Sequence, residues 1–256
     1  MVECVQIKLD NITQDFTVGK ETINVIKECN VAFEPCSFNI IYGPSGSGKS
    51  TLLNALSGIQ RPSAGKVTYG DRDIYEMTNR ELAYFRAQQI GIVYQQNYWI
   101  TSLNVVENVA VSLLFSGISR SDAKKRALEA LEKVGVAHLA KKNPQYLSGG
   151  EQQRVAIARA IITNPGYIIA DEPTGSLDMQ RGDQIMALLQ SYQAKLNTTI
   201  ILVTHNLEYL PLAHRLIRVQ DGVCTQLGRD AIRSTAESII SDMRTRMTNI
   251  TKARRS

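Results

Sequence analysis

The chain has 256 residues and an ordinary hydrophobic share of 43%, which is enough for one large α/β domain or two small ones. No apolar run approaches the roughly 18 residues that span a bilayer, and the N-terminus has no basic-then-apolar signal pattern, so we expect a cytosolic chain. From Arg229 onward, seven basic residues against three acidic ones carry +4 of the net charge of +5. The body is therefore near neutral, and its charge does not indicate nucleic-acid binding.

Short apolar or β-branched runs predict strands, and they alternate with segments that predict helices. The predicted strands are residues 2–9, 38–42, 67–69, 91–94, 167–170 and 199–204. A helix is expected after the glycine-rich residues 43–50, and residues 105–142 are expected to be helical, with Ser121 and Asp122 capping a helix over 121–134. This alternation predicts an α/β fold whose mostly parallel sheet is covered on both faces, with the helical stretch before Ser148 inserted into it.

Residues 43–50 read GPSGSGKS and follow a predicted buried strand. The glycines let backbone N–H groups close around phosphate oxygens, and the following helix N-terminus adds a partial positive charge. Lys49 places a cation on the β- and γ-phosphates, and the Ser50 hydroxyl is a Mg²⁺ ligand. A glycine-rich turn with a chance lysine is the alternative, which the position between a strand and a helix disfavours.

A second apolar strand ends in the carboxylates Asp171 and Glu172. Side chains at the carboxyl end of a strand reach the crevice where open α/β sheets bind ligands. Asp171 is placed to hold Mg²⁺, directly or through water, and Glu172 to polarise the attacking water. The alternative is a solvated Asp-Glu turn in which Pro173 ends the strand.

Residues 148–151 read SGGE, the pattern of a capping box at the start of a helix. A helix start with no other role is one interpretation. Gly149 and Gly150, however, leave the backbone bare at that N-terminus, which makes it a second anion site. Two half-sites for phosphate in one chain indicate that a neighbouring molecule supplies the missing half.

Three further residues carry little signal by themselves. His205 ends a predicted strand, where a packed or capping histidine is common. Gln95 follows another strand, and Phe16 is either a stacking surface for adenine or a core aromatic.

The four cysteines, Cys4, Cys29, Cys36 and Cys224, form no CxxC pair, so we expect reduced, packed thiols and no zinc site.

With LSGGEQQR at residues 147–154, the chain resembles the nucleotide-binding subunit of an ATP-binding cassette (ABC) transporter over roughly residues 2–227. The resemblance implies an ATP hydrolase in which Glu172, His205, Gln95 and Lys49 are catalytic, and in which Ser50, Gln95 and Asp171 hold Mg²⁺. The implied nucleotide-contacting residues are Phe16, Gly43, Pro44, Ser45, Gly46, Ser47, Gly48, Lys49, Ser50, Thr51, Gln95, Ser148, Gly149, Gly150, Asp171, Asp178 and His205. Phe16 departs from the family, which more often has tyrosine there.

The resemblance also implies an architecture and partners. The expected fold is a P-loop, RecA-like ABC ATPase core with an antiparallel β subdomain and an inserted helical subdomain near residues 96–146, all within residues 1–228. In the family, each ATP lies between the Walker A loop of one subunit, which residues 43–51 match here, and the signature of another, which residues 147–154 match. The implied partners are therefore a second copy of the chain, or a paralogous subunit, packed head to tail, and a separate integral membrane permease.

Three segments resemble the MacB/LolD/FtsE group: ADEPTGSLD at 170–178, VVENV at 105–109 and IGIVYQQ at 90–96. This implies a MacB- or FtsX-like permease, export or force transmission, and a position at the cytoplasmic face of the membrane. One alternative is an FtsE-like regulator of cell-envelope enzymes. The other, a soluble ABC ATPase acting on DNA or ribosomes, is disfavoured by the single cassette without a coiled-coil or zinc-hook insertion.

Residues 229–256 extend beyond the resemblance. Their apolar residues recur every three or four positions, which predicts a basic amphipathic helix. These are Ile232, Ala236, Ile239, Met243, Met247 and Ile250. The helix can pack on its own domain or on a second subunit, or it can touch anionic lipid or the permease; a disordered end is the third alternative.

Overall fold

The computed structural model describes residues 4–227 together with Ser234. The apolar stripe predicted for residues 229–256 lies outside the described residues, so the tail helix stays a prediction. Among the residues described, none of the helices has the length and apolar character needed to cross a bilayer.

The described residues form ten strands and six α-helices. The strands are β1 (Ile7–Val18), β2 (Glu21–Phe33), β3 (Phe38–Tyr42), β4 (Ala64–Tyr69), β5 (Arg72–Asp73), β6 (Ile90–Val93), β7 (Tyr167–Asp171), β8 (Thr199–Thr204), β9 (Arg215–Gln220) and β10 (Val223–Leu227). The helices are α1 (Lys49–Leu56), α2 (Asn79–Gln89), α3 (Val105–Phe115), α4 (Arg120–Lys133), α5 (Gly149–Ile161) and α6 (Met179–Leu196). Single turns of 3-10 helix lie at Ala137–Leu139 and Pro144–Tyr146, and a longer one at Leu207–Leu212.

The strands assemble into two sheets. The core sheet has the order β10-β9-β3-β8-β7-β6, in which every neighbouring pair is parallel except the edge pair of β10 and β9. The second sheet has the order β2-β1-β4-β5 and is antiparallel throughout. Helices α3 and α4 lie between β6 and α5 in the sequence, so the predicted core, antiparallel subdomain and helical insertion are all present.

The core sheet is buried on both faces, as parallel sheets generally are. Ile40 and Ile41 are consecutive residues of β3 and both are fully buried, but they belong to different apolar clusters. Ile40 packs in the cluster that includes residues of α3 to α6, and Ile41 packs with α1 and the second sheet. Each such side chain contributes about 1.5–3 kcal/mol when fully buried.

Two predicted boundaries were wrong. The strand predicted at residues 2–9 begins at Ile7 and continues to Val18, because β-bulges bend it between Leu9 and Asp15 and allow it to pair with both β2 and β4. The helix predicted to be capped at Ser121 instead has Ser119 as its N-cap, whose hydroxyl accepts a hydrogen bond from the Asp122 N–H at 3.1 Å.

The expectation of four reduced thiols was also wrong. Cys29 of β2 and Cys224 of β10 form a disulfide across 195 residues of sequence. Cys4 and Cys36 are free thiols and neighbours of each other. Sequence spacing gave no sign of either pair, because packing between segments distant in sequence brings the residues together.

Candidate functional site

A cavity of about 490 Å³ lies at the carboxyl ends of β3, β7 and β8, beside the N-terminus of α1. This edge of a parallel sheet is where open α/β folds bind ligands. The cavity is lined by Val25, Ser45, Gly46, Gly48, Lys49, Ser50, Thr51, Gln95, Asp171, Glu172 and His205. All of these except Val25 are residues that the sequence predicted.

The glycine-rich loop between β3 and α1 needs glycine for both shape and space. Gly46 and Gly48 have φ values of +78° and +104°, a backbone region that residues other than glycine rarely adopt. A Cβ on Gly48 would lie 2.7 Å from Ile26 Cδ1 and 2.9 Å from the Val25 carbonyl oxygen. No side chain caps the N-terminus of α1, so its N–H groups are available to an anion.

Two polar side chains of this loop fit a phosphate ligand. The Ser47 hydroxyl is buried and has no hydrogen-bond partner among the residues that the structure describes. The Lys49 Nζ donates hydrogen bonds to the carbonyl oxygens of Gly43 at 3.0 Å and Pro44 at 2.7 Å. Burial lowers the pKa of Lys49, while the nearby carboxylates of Glu172 and Asp171 raise it. Lys49 is thus a mostly buried cation beside the cavity.

Ser50 and Asp171 are 121 residues apart in sequence but meet at the cavity. The Ser50 hydroxyl donates a hydrogen bond to Asp171 Oδ2 at 3.2 Å. Burial raises the pKa of Asp171, and the hydrogen bond from Ser50 opposes that rise. Among the described residues, no three or more His, Cys, Asp or Glu side chains form a metal cluster. This pair of oxygen ligands fits Mg²⁺, which is usually held by one or two carboxylates together with substrate phosphates.

Glu172 is held by three contacts in a position different from that of its neighbour Asp171. Its φ of +46° is unusual for a side chain of this size, and its N–H donates to the Val203 carbonyl at 2.9 Å. His205 Nδ1 lies 2.8 Å from Glu172 Oε1, and the Thr204 hydroxyl donates to Glu172 Oε2 at 3.4 Å. The carboxylate that we predicted as the catalytic base is therefore oriented on both of its oxygens.

The signature residues lie on a second surface and do not line the cavity. Ser148 is the N-cap of α5, and its capping box with Glu151 is complete: the Ser148 N–H donates to Glu151 Oε2 at 2.8 Å, and the Glu151 N–H donates to Ser148 Oγ at 3.4 Å. Ser148 and Gly149 are exposed, and Gly150 is buried. A Cβ on Gly149 would lie 3.5 Å from Leu177 Cδ2, so this loop packs against the segment before α6.

Asp178 belongs to that same surface. It is exposed and is the N-cap of α6, where Asp178 Oδ1 accepts a hydrogen bond from the Arg181 N–H at 2.9 Å. The structure therefore groups Asp178 with Ser148, Gly149 and Gly150, apart from the residues that line the cavity.

Phe16 is not among the residues that line the cavity. It lies on β1 opposite Ile23 of β2 and is 38% exposed. Adenine stacking on Phe16 stays a prediction. Gly43, Pro44 and Ser47 belong to the same loop as the lining residues without lining the cavity themselves.

Two residues of the site were missed by the sequence analysis. Thr204 directly precedes His205, and aligning the parallel strands β7 and β8 would have placed it beside Glu172, because Asp171 pairs with Val203. Val25 reaches the cavity only because β2 packs against the glycine-rich loop, and no local pattern marks it.

The family described as "ABC transporter" matches residues 26–175. The lipoprotein-releasing system ATP-binding protein LolD of Geobacter metallireducens is 38% identical over 216 residues, covering 84% of this chain and 96% of that protein. The macrolide export ATP-binding/permease protein MacB of Agrobacterium fabrum is 38% identical over 229 residues, covering 90% of this chain and 35% of that larger protein.

A solved structure shares the fold closely. The dimeric post-hydrolysis state of the ATP-binding cassette MJ0796, bound to ADP and Pi, superposes with a TM-score of 0.82 at 37% identity, covering 87% of this chain and 98% of that one. The cavity with its glycine-rich loop and its oriented carboxylates lies at the edge of the sheet where such folds bind ligands. The chain therefore belongs to the ABC transporter family, in the branch that includes LolD and MacB, and is an ATP-binding subunit that hydrolyses ATP.

Proposed function

We propose that two copies of this chain, or this chain and a paralogous subunit, pack head to tail around two ATP molecules and drive a separate membrane permease. One observation carries the proposal. The catalytic residues converge on the cavity, whereas Ser148 and Gly149 present a second helix N-terminus on a different exposed surface. A helix N-terminus attracts anions, so this surface suits the phosphates of an ATP held by another copy. MJ0796, which has the same fold, is dimeric with ADP and Pi bound.

Within each site, the residues have separable roles. Ser50, Asp171 and the exposed Gln95 would hold Mg²⁺, which neutralises charge on the phosphates when bound. Lys49 exchanges its bonds to the loop carbonyls for bonds to phosphate oxygens. Glu172 accepts a proton from the attacking water, and His205 and Thr204 keep its carboxylate in place.

A groove of about 740 Å³ along α2 offers a surface for the permease. It includes Tyr84 and Phe115, whose side chains are 66% and 87% exposed, and it is bordered by Arg72 and Arg80. Exposed aromatic groups beside cations suit an amphipathic segment that carries acidic residues. We assign this groove to a cytoplasmic segment of a MacB- or FtsX-like permease. In that complex the chain would work at the cytoplasmic face of the membrane, in export or force transmission.

The test is co-expression of the tagged chain with the membrane protein encoded beside its gene, followed by extraction in detergent. We expect two ATPase subunits in each complex and ATP turnover that differs from that of the free chain. Phe115→Glu should abolish co-purification and leave the turnover of the free chain unchanged. The matched control is Val18→Glu, which changes an exposed apolar residue at the end of β1 in the antiparallel sheet, away from the groove. Equal recovery of both variants with the permease would rule out the groove, and a chain that never co-purifies would rule out the partnership.

A further inference from the structure

The disulfide joins the two sheets beside the nucleotide cavity. Cys29 lies near the middle of β2 in the antiparallel sheet, and Cys224 lies on β10, the edge strand of the core sheet. Backbone contacts accompany the covalent bond, since the Lys27 N–H donates to the Gly222 carbonyl at 2.9 Å. The bond therefore fixes the position of β2 relative to the core sheet.

Strand β2, which carries Cys29, also contacts the glycine-rich loop. Val25, four residues before Cys29 on the same strand, lines the cavity. The Val25 carbonyl oxygen and Ile26 Cδ1 lie 2.9 and 2.7 Å from the position where Gly48 would carry a Cβ. Strand β2 is thus in close contact with Gly48, the N-cap residue of α1, the helix whose N–H groups would face phosphate.

Strand β10, which carries Cys224, pairs with β9, and β9 contacts the opposite end of the same loop. The Val219 carbonyl oxygen on β9 lies 2.0 Å from where a Cβ on Gly43 would be. The turn after β9 leads through Gly222, packed against the Val25 carbonyl, to Cys224. The Cys29–Cys224 bond therefore joins β2, which contacts Gly48, to β10, which pairs with the strand β9 that contacts Gly43.

We propose that Cys29 and Cys224 are a reversible thiol–disulfide exchange site, and that their oxidation state sets the affinity of the chain for ATP. Where thiols are kept reduced, the disulfides that form are usually transient and redox-sensing. Reduction removes the covalent link between β2 and β10 and lets Val25 and the loop sample positions that do not fit the nucleotide. Oxidation restores the binding geometry.

The exchange proceeds through the more accessible sulfur. Cys29 is fully buried, while Cys224 is half-buried. The thiolate of a small thiol attacks Cys224 Sγ, the bond between Cys224 and Cys29 breaks, and Cys29 leaves as a thiolate. A second small-thiol thiolate attacks the small-thiol sulfur of this mixed disulfide and releases the Cys224 thiolate. Two small thiols are oxidised to one disulfide, and their two protons end on Cys29 and Cys224.

The other two cysteines provide an internal control. The Cys4 thiol donates to the carbonyl oxygens of Gly166 at 3.1 Å and Asn197 at 2.8 Å, and Cys36 lies beside it. Cys36 precedes β3, whereas the nucleotide loop follows that strand, so a five-residue strand of about 17 Å separates them. Substitutions there change the thiol content without touching the strands around the loop.

The experiment measures two quantities on the isolated full chain across a series of glutathione ratios. Alkylation under denaturing conditions, read by mass spectrometry, should count two thiols in the oxidised state and four in the reduced state. A fluorescent ATP analogue should bind at least about threefold more weakly after reduction, as expected if the binding-competent fraction falls to about one third.

Variants assign the effect to one pair. Cys224→Ser should bind the analogue as the reduced chain does and show no redox response, whereas Cys4→Ser with Cys36→Ser should keep the full response. Reduction of the unsubstituted chain tests the same point without any substitution that changes folding. Four free thiols at every ratio, equal affinity in both states, or a redox response that persists in Cys224→Ser would each overturn the proposal. None of these measurements depends on a permease, so their failure is distinct from failure of the proposed complex.

Discussion

The nucleotide cavity and the signature surface both present a helix N-terminus, but they differ in how many of its hydrogen-bonding groups already have partners. At the cavity, no side chain of the described residues caps α1, and the buried Ser47 hydroxyl has no partner among those residues. At the signature surface, the capping box satisfies the N–H groups of Ser148 and Glu151, and the N–H groups of Gly149 and Gly150 lie between them. The first site has unfilled hydrogen-bonding capacity along the loop and the helix start, whereas the second offers two glycine N–H groups on an otherwise capped helix start.

The two regions also differ in how the surroundings shift the pKa values of their ionisable groups. Burial raises the pKa of Asp171 and lowers that of Lys49, so the cavity holds ionisable groups under strain from desolvation. At the signature surface, hydrogen bonds from Ser148 lower the pKa of the half-buried Glu151 and stabilise its carboxylate. Groups with perturbed pKa values in a cavity are candidates for chemistry, whereas the exposed helix start is a candidate surface for a second subunit. The following predictions test that division.

The largest effect is expected from Glu172→Gln. Losing a positioned base typically costs a factor of about 10²–10⁴ in turnover, while binding of ATP should persist because Lys49 and the loop are unchanged. Steady-state hydrolysis is the measurement, with Glu208→Gln on the exposed turn after His205 as the matched control. Turnover above one tenth of the unsubstituted rate would remove Glu172 from this role.

Lys49→Ala and Ser148→Arg should both abolish hydrolysis, but for different reasons. The first removes a cation from the cavity and should weaken ATP binding to the monomer, whereas the second should spare monomer binding and block dimer closure. At equal concentrations, mixing them should restore about a quarter of wild-type activity, because half of the dimers are mixed and one of their two sites is intact. Titration of one inactive variant into the other, with no rise at any ratio, would refute the shared site.

A smaller effect is expected from Thr204→Val, which removes the hydroxyl that holds Glu172 Oε2. The hydrogen bond is long at 3.4 Å, so we take the low end of the range for bonds to charged groups. Turnover should fall about tenfold, corresponding to about 1.4 kcal/mol, with the KM for ATP little changed. Thr204→Ser keeps the hydroxyl and should restore turnover. Equal loss in both variants would indicate a packing role for Thr204.

The smallest effect concerns Asp171 and stability. Burial raises its pKa in the folded chain above the unfolded value, so its contribution to stability is fully present below the unfolded pKa and is lost as pH rises through the folded pKa. Asp171→Asn should therefore raise the melting temperature of the nucleotide-free chain at neutral pH, by about 2–4 °C for each kcal/mol gained. The gain should vanish in acid. The exposed Asp71→Asn is the control, and a lower melting temperature at neutral pH would contradict the expectation.

The sequence predicted those features that depend on neighbouring residues. Strand Thr199–Thr204 has the predicted bounds, and the capping box of α5 forms as the SGGE pattern indicated. The residues that were missed depend on pairing between distant strands. Val25 faces the cavity because β2 crosses the glycine-rich loop, and Cys29 meets Cys224 because β2 lies beside β10. The bend in β1 was missed for the same reason, since its bulges accommodate two partner strands.

The Lys49 ammonium already donates two hydrogen bonds, to the Gly43 and Pro44 carbonyls. In the proposed site, ATP would have to displace these two acceptors, so its phosphate oxygens would gain only the difference between the two sets of bonds. The same acceptors would be available again when a phosphate departs, which would favour product release. In the proposed cycle of closing and opening, this exchange would keep the affinity for ATP moderate without loss of geometric fit.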